Sequence, residues 1–101
     1  MHEAILRQMR EFVRESRYVM TAHGRQEMHA DDLTVFDVEH CILTGRVIER
    51  QRDRESREWK YLVLGETLAR GSAVTVAKIG AGKLVIITVY LERPDEVEHE
   101  V

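Results

Sequence analysis

Four consecutive stretches with strand character, RVIERQRD, EWKYLVLGE, SAVTVAKI and KLVIITVYL, fill nearly all of residues 46–90. Nothing else in the chain limits its fold as tightly. Trp59-Lys60-Tyr61-Leu62-Val63-Leu64 is apolar on both faces, which suits a strand flanked by neighbours. Leu84-Val85-Ile86-Ile87-Thr88-Val89-Tyr90 is the strongest strand, rich in β-branched residues. Gly80-Ala81-Gly82 reads as a tight turn between the last two strands. Arg46-Val47-Ile48-Glu49 reads as a brief strand, and QRDRESRE as a charged hairpin tip.

Helical patterns precede these strands. Ile5, Met9, Phe12 and Val13 recur at spacings of three and four, predicting an amphipathic helix over residues 3–17. Arg7, Arg10, Arg14 and Arg17 would line another face, read chiefly as a solvated stripe diluted by Glu11 and Glu15. Tyr18-Val19-Met20 is a short extended stretch, and Thr21 can cap a short helix from Ala22 to Met28. Thr34 and Asp37 form a capping box ahead of a helix running to Thr44, with Val35, Val38, Cys41 and Ile42 inward. Gly45 is expected to end it in the left-handed conformation. Helices first and a meander afterwards predict an α+β domain. Two to three N-terminal helices would pack on one face of a four-stranded antiparallel sheet whose last strand is central.

The chain has 101 residues, enough for one core without staples. Its single cysteine, Cys41, excludes an intramolecular disulfide and is expected to be a small buried hydrophobe. No secretory leader is legible in MHEAILRQMREF, and no apolar run approaches the length of a membrane span. The expected location is the cytoplasm, with no membrane partner. The formal net charge is −3. Five acidic side chains, Glu92, Asp95, Glu96, Glu98 and Glu100, crowd the last ten residues against Arg93, for a local net of −4. The expectation is one domain over residues 1–91 and a flexible acidic tail over 92–101.

The runs Tyr18-Val-Met-Thr-Ala-His23, Asp37-Val38-Glu39, Thr44-Gly45-Arg46-Val47-Ile48-Glu49, Tyr61-Leu-Val-Leu-Gly65, Val74-Thr-Val-Ala and Ile86-Ile87-Thr88-Val89-Tyr90 are collinear with a known pattern. Over residues 18–91 the chain resembles the bacterial domain of unknown function 4258. That resemblance implies a RelE-like fold and a ribonuclease toxin of a toxin–antitoxin pair. It also implies an antitoxin encoded nearby, of the zinc-finger MqsA type. A RelE-like sheet is expected to place Trp59–Leu64 and Leu84–Tyr90 together and not parallel; strands lying apart or running parallel would remove the kinship with ribonuclease toxins and the active residues it implies. Two positions depart from the family pattern. Glu27 stands where His-Ala-x-x-Arg-Met has arginine, and Arg70-Gly71-Ser72-Ala73 lacks the histidine of Arg-Pro-Leu-His.

RNA cleavage without a metal needs a base for the 2′-hydroxyl, an acid for the leaving oxygen and cations for the phosphorane. His23, at a strand-to-helix junction, is the candidate acid/base, and Tyr90 the candidate for base stacking or proton donation. Arg25, Arg50, Arg52, Arg70 and Lys78 are the candidate RNA contacts, with Arg50, Arg52 and Arg54 sharing one strand face. His23, His29, His40 and Cys41 have no metal-ligand spacing, so neither a metal nor another cofactor is expected. Two functions follow. One is a metal-independent endoribonuclease toxin that binds RNA. The other is a non-catalytic interaction module or decayed toxin.

Overall fold

The structure, a computed structural model, describes residues 1–92. From position 93 onward the expected acidic tail lies outside the described residues. Three helices, α1 (Glu3–Arg14), α2 (Ala22–Ala30) and α3 (Val35–Thr44), accompany five strands. These are β1 (Tyr18–Met20), β2 (Arg46–Arg52), β3 (Trp59–Glu66), β4 (Ser72–Gly80) and β5 (Lys83–Leu91). They form one sheet in the order β1-β5-β4-β3-β2. The three hairpin pairs are antiparallel, while β1 runs parallel to β5.

The sheet is thus five-stranded and mixed, which overturns the expected four-stranded antiparallel class. The added strand is Tyr18-Val19-Met20. Three residues carry no alternation that a sequence can display, and their partners are Leu84, Val85 and Ile86, far along the chain. The last strand is also not central. β4 holds that place and is buried without a break from Ala73 to Ala77. β3 and β5 both pair with β4, so they run in one direction with a strand between them. The expected side-by-side relation is overturned. The two strands lie apart and share a direction, so the expected support from this pairing for a kinship with ribonuclease toxins is lost.

Leu6, Met9 and Val13 of α1 and Val38 and Ile42 of α3 meet Val63, Ala77, Leu84, Ile86 and Val89 in one buried cluster. Each sheet residue in it is on the same side of the sheet: alternation places Leu84 and Ile86 there, and the bulge at Ile87 brings Val89 to that side as well. Val74 and Val76 are buried on the opposite side, outside that cluster. The Ala81-Gly82 turn has φ 55° and 72°, the double positive φ of a two-residue hairpin turn.

α1 ends at Arg14, three residues short of expectation, because Ser16 turns the chain at φ 56°. The expected arginine line is broken there, and two of its members do structural work. Arg10 donates from Nε to the Ile42 carbonyl at 3.1 Å and from Nη2 to the Gly45 carbonyl at 2.8 Å. It thereby satisfies acceptors that the end of α3 leaves open. Arg17 donates to the Gly82 carbonyl at 2.7 Å and lies over the Phe12 ring.

Both predicted caps are present. Thr21 accepts from the Gly24 N–H at 3.0 Å, and Thr34 and Asp37 form a complete capping box. Gly45 departs from expectation. Its φ of −91° and ψ of −174° are extended, not left-handed. Glycine is needed there for room, since a Cβ would meet the Cys41 carbonyl oxygen at 2.5 Å and that of Leu64 at 2.6 Å. Gly65 is tighter, its hypothetical Cβ falling 2.0 Å from the Cys41 oxygen. These two glycines let α3 lie directly on β3. The Cys41 thiol is buried beneath, accepting from the Thr75 hydroxyl and donating toward the Val63 and Ala73 carbonyls. Burial pushes its pKa up, so it is an unreactive packing group.

Candidate functional site

α2 starts where β1 stops. The Thr21 N–H donates to the Ile86 carbonyl at 3.0 Å, and the Thr21 hydroxyl to that of Ile87 at 2.7 Å. At the other end of the helix, Asp31 accepts from the Leu91 N–H at 2.9 Å. α2 therefore runs alongside the second half of β5, where β1 no longer pairs. This offset opens a cavity of about 330 Å³ lined by Tyr18, Val19, Met20, Arg25, Met28, His29 and Val35.

Most of its wall is apolar, with a few polar groups converging on it, the usual character of a small ligand site. Arg25 and His29 are one helical turn apart and so share a face. Both are exposed, and the side chain of neither makes a hydrogen bond or ion pair among the described residues. Tyr18 supplies the opposite wall, its hydroxyl donating to the Glu39 carboxylate of α3. Partial burial, the hydrogen bond to Glu39 and the charge of Glu39 push the Tyr18 pKa up to about 12. The phenol therefore stays protonated at neutral pH and acts as a fixed donor.

Of the residues predicted from sequence, only Arg25 lines this cavity. His23 is exposed in the first turn of the same helix. Two residues of helix separate it from Arg25 by about 200° of rotation, so it faces away. Tyr90 is on β5 opposite Val74, on the sheet side away from the helix core. Partial burial and the charges of Glu92 and Glu49 raise its pKa. Arg70 occupies the β3–β4 turn at φ 68°. Lys78 is at the far end of β4 and pairs with Glu58 at 3.5 Å. Four strand residues separate it from the level of Tyr90, a span of about 13 Å. The structure does not bring His23, Tyr90, Arg70 and Lys78 to one place.

Arg50 and Arg52 are together, as period-two spacing predicts, but at the opposite edge of the sheet. Their guanidinium carbons are 3.9 Å and 4.8 Å from the Trp59 ring centre. Arg54 leaves the strand for the turn, because β2 ends at Arg52. Tyr18, His29 and Glu39 were missed as site residues. In the sequence Tyr18 is only the start of a short extended stretch. The Arg25–His29 spacing of four was the legible signal for the other wall.

Among the described residues no cluster of three or more His, Cys, Asp or Glu could hold a metal ion, and no helix is long and apolar enough to cross a membrane. The fold defines a small α+β domain with a cleft between the short parallel strand and the helix after it. The chain belongs to the DUF4258 family, a domain of unknown function, whose pattern matches residues 20–91. No curated protein and no solved structure matches it.

Proposed function

We propose that this domain acts on RNA as a metal-independent endoribonuclease, the toxin of a toxin–antitoxin pair, with the β1–α2 cleft as its reactive centre. The observation that carries the reading is the juxtaposition of Arg25 and His29, whose side chains have no hydrogen-bond or ion-pair partner among the described residues, in an apolar cleft also lined by Tyr18, which is bonded to Glu39. Histidine is the side chain that exchanges protons near neutral pH. His29 takes the 2′-hydroxyl proton as that oxygen attacks the adjacent phosphorus. A cyclic phosphate forms and the bond to the 5′-oxygen breaks. The imidazolium returns the proton to that leaving oxygen. Arg25 neutralises the charge that builds on the phosphorane oxygens. Tyr18, anchored by Glu39, offers a wall on which the base or ribose rests. The antitoxin, encoded nearby, would cover the cleft.

Expression of the wild-type chain should arrest growth, and the purified protein should cut single-stranded RNA in the presence of EDTA. His29→Gln and Arg25→Ala should each reduce cleavage by about 100-fold or more, the scale of a lost acid/base or charge-stabilising group. Intact RNA and unimpeded growth with the wild-type chain would overturn the reading.

A second reading is a protein-binding module without catalysis. It is favoured by two exposed apolar side chains, Phe36 of α3 and Leu68 of the β3–β4 turn, at 63% and 59% exposure. The Leu68 N–H donates to Asp37, next to Phe36, so the two segments are tied together at 2.9 Å. A stable heteromer lost on Phe36→Asp, with no nuclease activity after the partner is removed, would favour this reading.

A further inference from the structure

The hairpin of β2 and β3 extends beyond the helix layer. From Ile48 to Arg52 every β2 residue is exposed, whereas Val47 is half-buried. The last helix-side contact is the His2 ring against Tyr61, edge-on at 5.9 Å between centroids. Arg50 stands opposite Tyr61 at that level, and past it the helix-side face of the arm holds Arg52 and Trp59.

The arm carries Arg46, Arg50, Arg52, Arg54, Arg57 and Lys60 against Glu49, Asp53, Glu55 and Glu58. On sequence alone this mixture looks self-neutralising. The structure separates the charges. Asp53 accepts the Glu55 and Ser56 N–H groups at 2.9 Å and 3.2 Å and holds the turn. Those hydrogen bonds keep its carboxyl below the ordinary range. Glu49 accepts from the Gln51 amide, and Glu58 pairs with Lys78. Among the described residues no arginine of the arm has an ion-pair partner. The ion pairs found are Met1–Glu3, His40–Glu66 and Lys78–Glu58.

Trp59 is 37% exposed beneath two of these guanidinium groups, neither of which is in an ion pair among the described residues. Arg52 is also fixed from behind, its Nε donating to the Arg57 carbonyl at 2.9 Å. An exposed indole with stacked arginines along a positive strand is the combination that takes unpaired bases and their phosphates. Every base has a π-face for the ring or the guanidinium plane, and the remaining guanidinium N–H groups meet the backbone. An acidic peptide would use the arginines but not the indole. Duplex RNA would hide its bases.

We propose that the β2–β3 arm is a docking platform for single-stranded RNA, with a base stacked at Trp59 and phosphates held by Arg50 and Arg52. This rests on the reading that the domain acts on RNA, and it adds a binding surface separate from the cleft.

Trp59 is the sole tryptophan of the chain, so its fluorescence reports on the platform directly. The wild-type protein is titrated with a 12-nucleotide single-stranded RNA, the same sequence as a duplex, and an Asp/Glu-rich peptide. The single strand should quench saturably and bind more weakly as salt rises. Arg50→Ala with Arg52→Ala should weaken that binding on the order of 10-fold or more, as should Trp59→Ala read by anisotropy of labelled RNA. Trp59→Phe should retain most of it, which separates lost stacking from lost folding. Equal binding of duplex or peptide, or unchanged affinity in both arm variants, overturns the platform. The cleft is tested apart from it. His29→Gln should abolish cleavage and leave the titration intact, while arm variants should raise KM and spare kcat. Single-strand binding by a wild-type protein that cuts nothing would sink the nuclease reading and leave the platform standing.

Discussion

The β4–β5 half of the sheet and the β2–β3 arm are built from the same strand-and-turn grammar, yet they hold their side chains by different physics. In β4 and β5 the helix-side residues, Ala77, Leu84, Ile86 and Val89, are closed off from water by the three helices. In the arm, guanidinium groups lie over a single indole that stays part-exposed to solvent. Burial stabilises the first by about 25 cal/mol for each Å² of apolar surface removed from water. The second gains only the modest attraction of exposed cation–π pairs. The lesson is a division of labour: one half specifies the fold, and the other is free to bind.

The sharpest way to break this contrast is at the seam between α3 and β3. In Gly65→Ala the new Cβ would meet backbone atoms of Cys41 at 2.0, 2.7 and 2.9 Å. No rotamer relieves a clash with backbone, so the helix must lift from the sheet. The expected loss is about 4 kcal/mol, at the upper end for a point mutation. It is read from the urea midpoint, and a midpoint like that of the wild type would show that α3 is not pinned there. Next in size is Leu84→Ala. This side chain is fully buried at the start of β5 and faces Tyr18 across the parallel pair. A loss of about 3 kcal/mol is expected from transfer and cavity terms together.

Those two sites also show what a sequence can and cannot reveal. Leu84 and its neighbours were legible because alternation and β-branching are local signals. The Gly65 contact was not, because a glycine in a strand does not name the helix carbonyl pressing on it. β1 was missed for a related reason: a parallel partner comes from another part of the chain, and three residues have no period. The cleft was half legible. Arg25 was named, and the spacing to His29 was open to view. Tyr18 and Glu39 belong to segments that only the fold brings together. The arm was read with the right arginines but as self-neutralising, since adjacency in sequence hid that Asp53 holds the turn and Glu58 pairs with Lys78.

A smaller effect is expected at the capping box. Thr34→Ala removes an acceptor for the Asp37 N–H and should lower stability by about 1 kcal/mol. Asp37 adds a pH signature. Partial burial pushes its pKa up, but hydrogen bonds from the Thr34 and Leu68 N–H groups and the Thr34 hydroxyl, with the nearby His40, hold it below the ordinary value on balance. A carboxyl depressed by folding adds stability above its unfolded pKa of about 3.9 and loses it as pH falls through the folded value. Wild type should therefore exceed Asp37→Asn in urea midpoint at pH 7, and the gap should close below about pH 4. A gap that does not narrow as pH falls from 7 through the folded value would mean that the carboxylate charge is not what secures α3.

The smallest expected effect decides whether the arm belongs to the fold or to a ligand. Arg50→Ala deletes the closer guanidinium from the Trp59 ring and leaves every backbone pair of β2 and β3 in place. An exposed cation–π contact contributes about 0.5–1 kcal/mol, and the desolvated core is untouched. Thermal and urea midpoints should therefore move by no more than that amount, while the emission of Trp59 shifts because its covering group is gone. If instead Arg50→Ala destabilises the chain as much as Leu84→Ala does, the arginine–tryptophan stack is part of what holds the sheet together. The two halves of the molecule would then be alike in kind. A near-silent stability change with a clear spectral change would place the stack outside the folding unit and leave the indole and its arginines available to a partner.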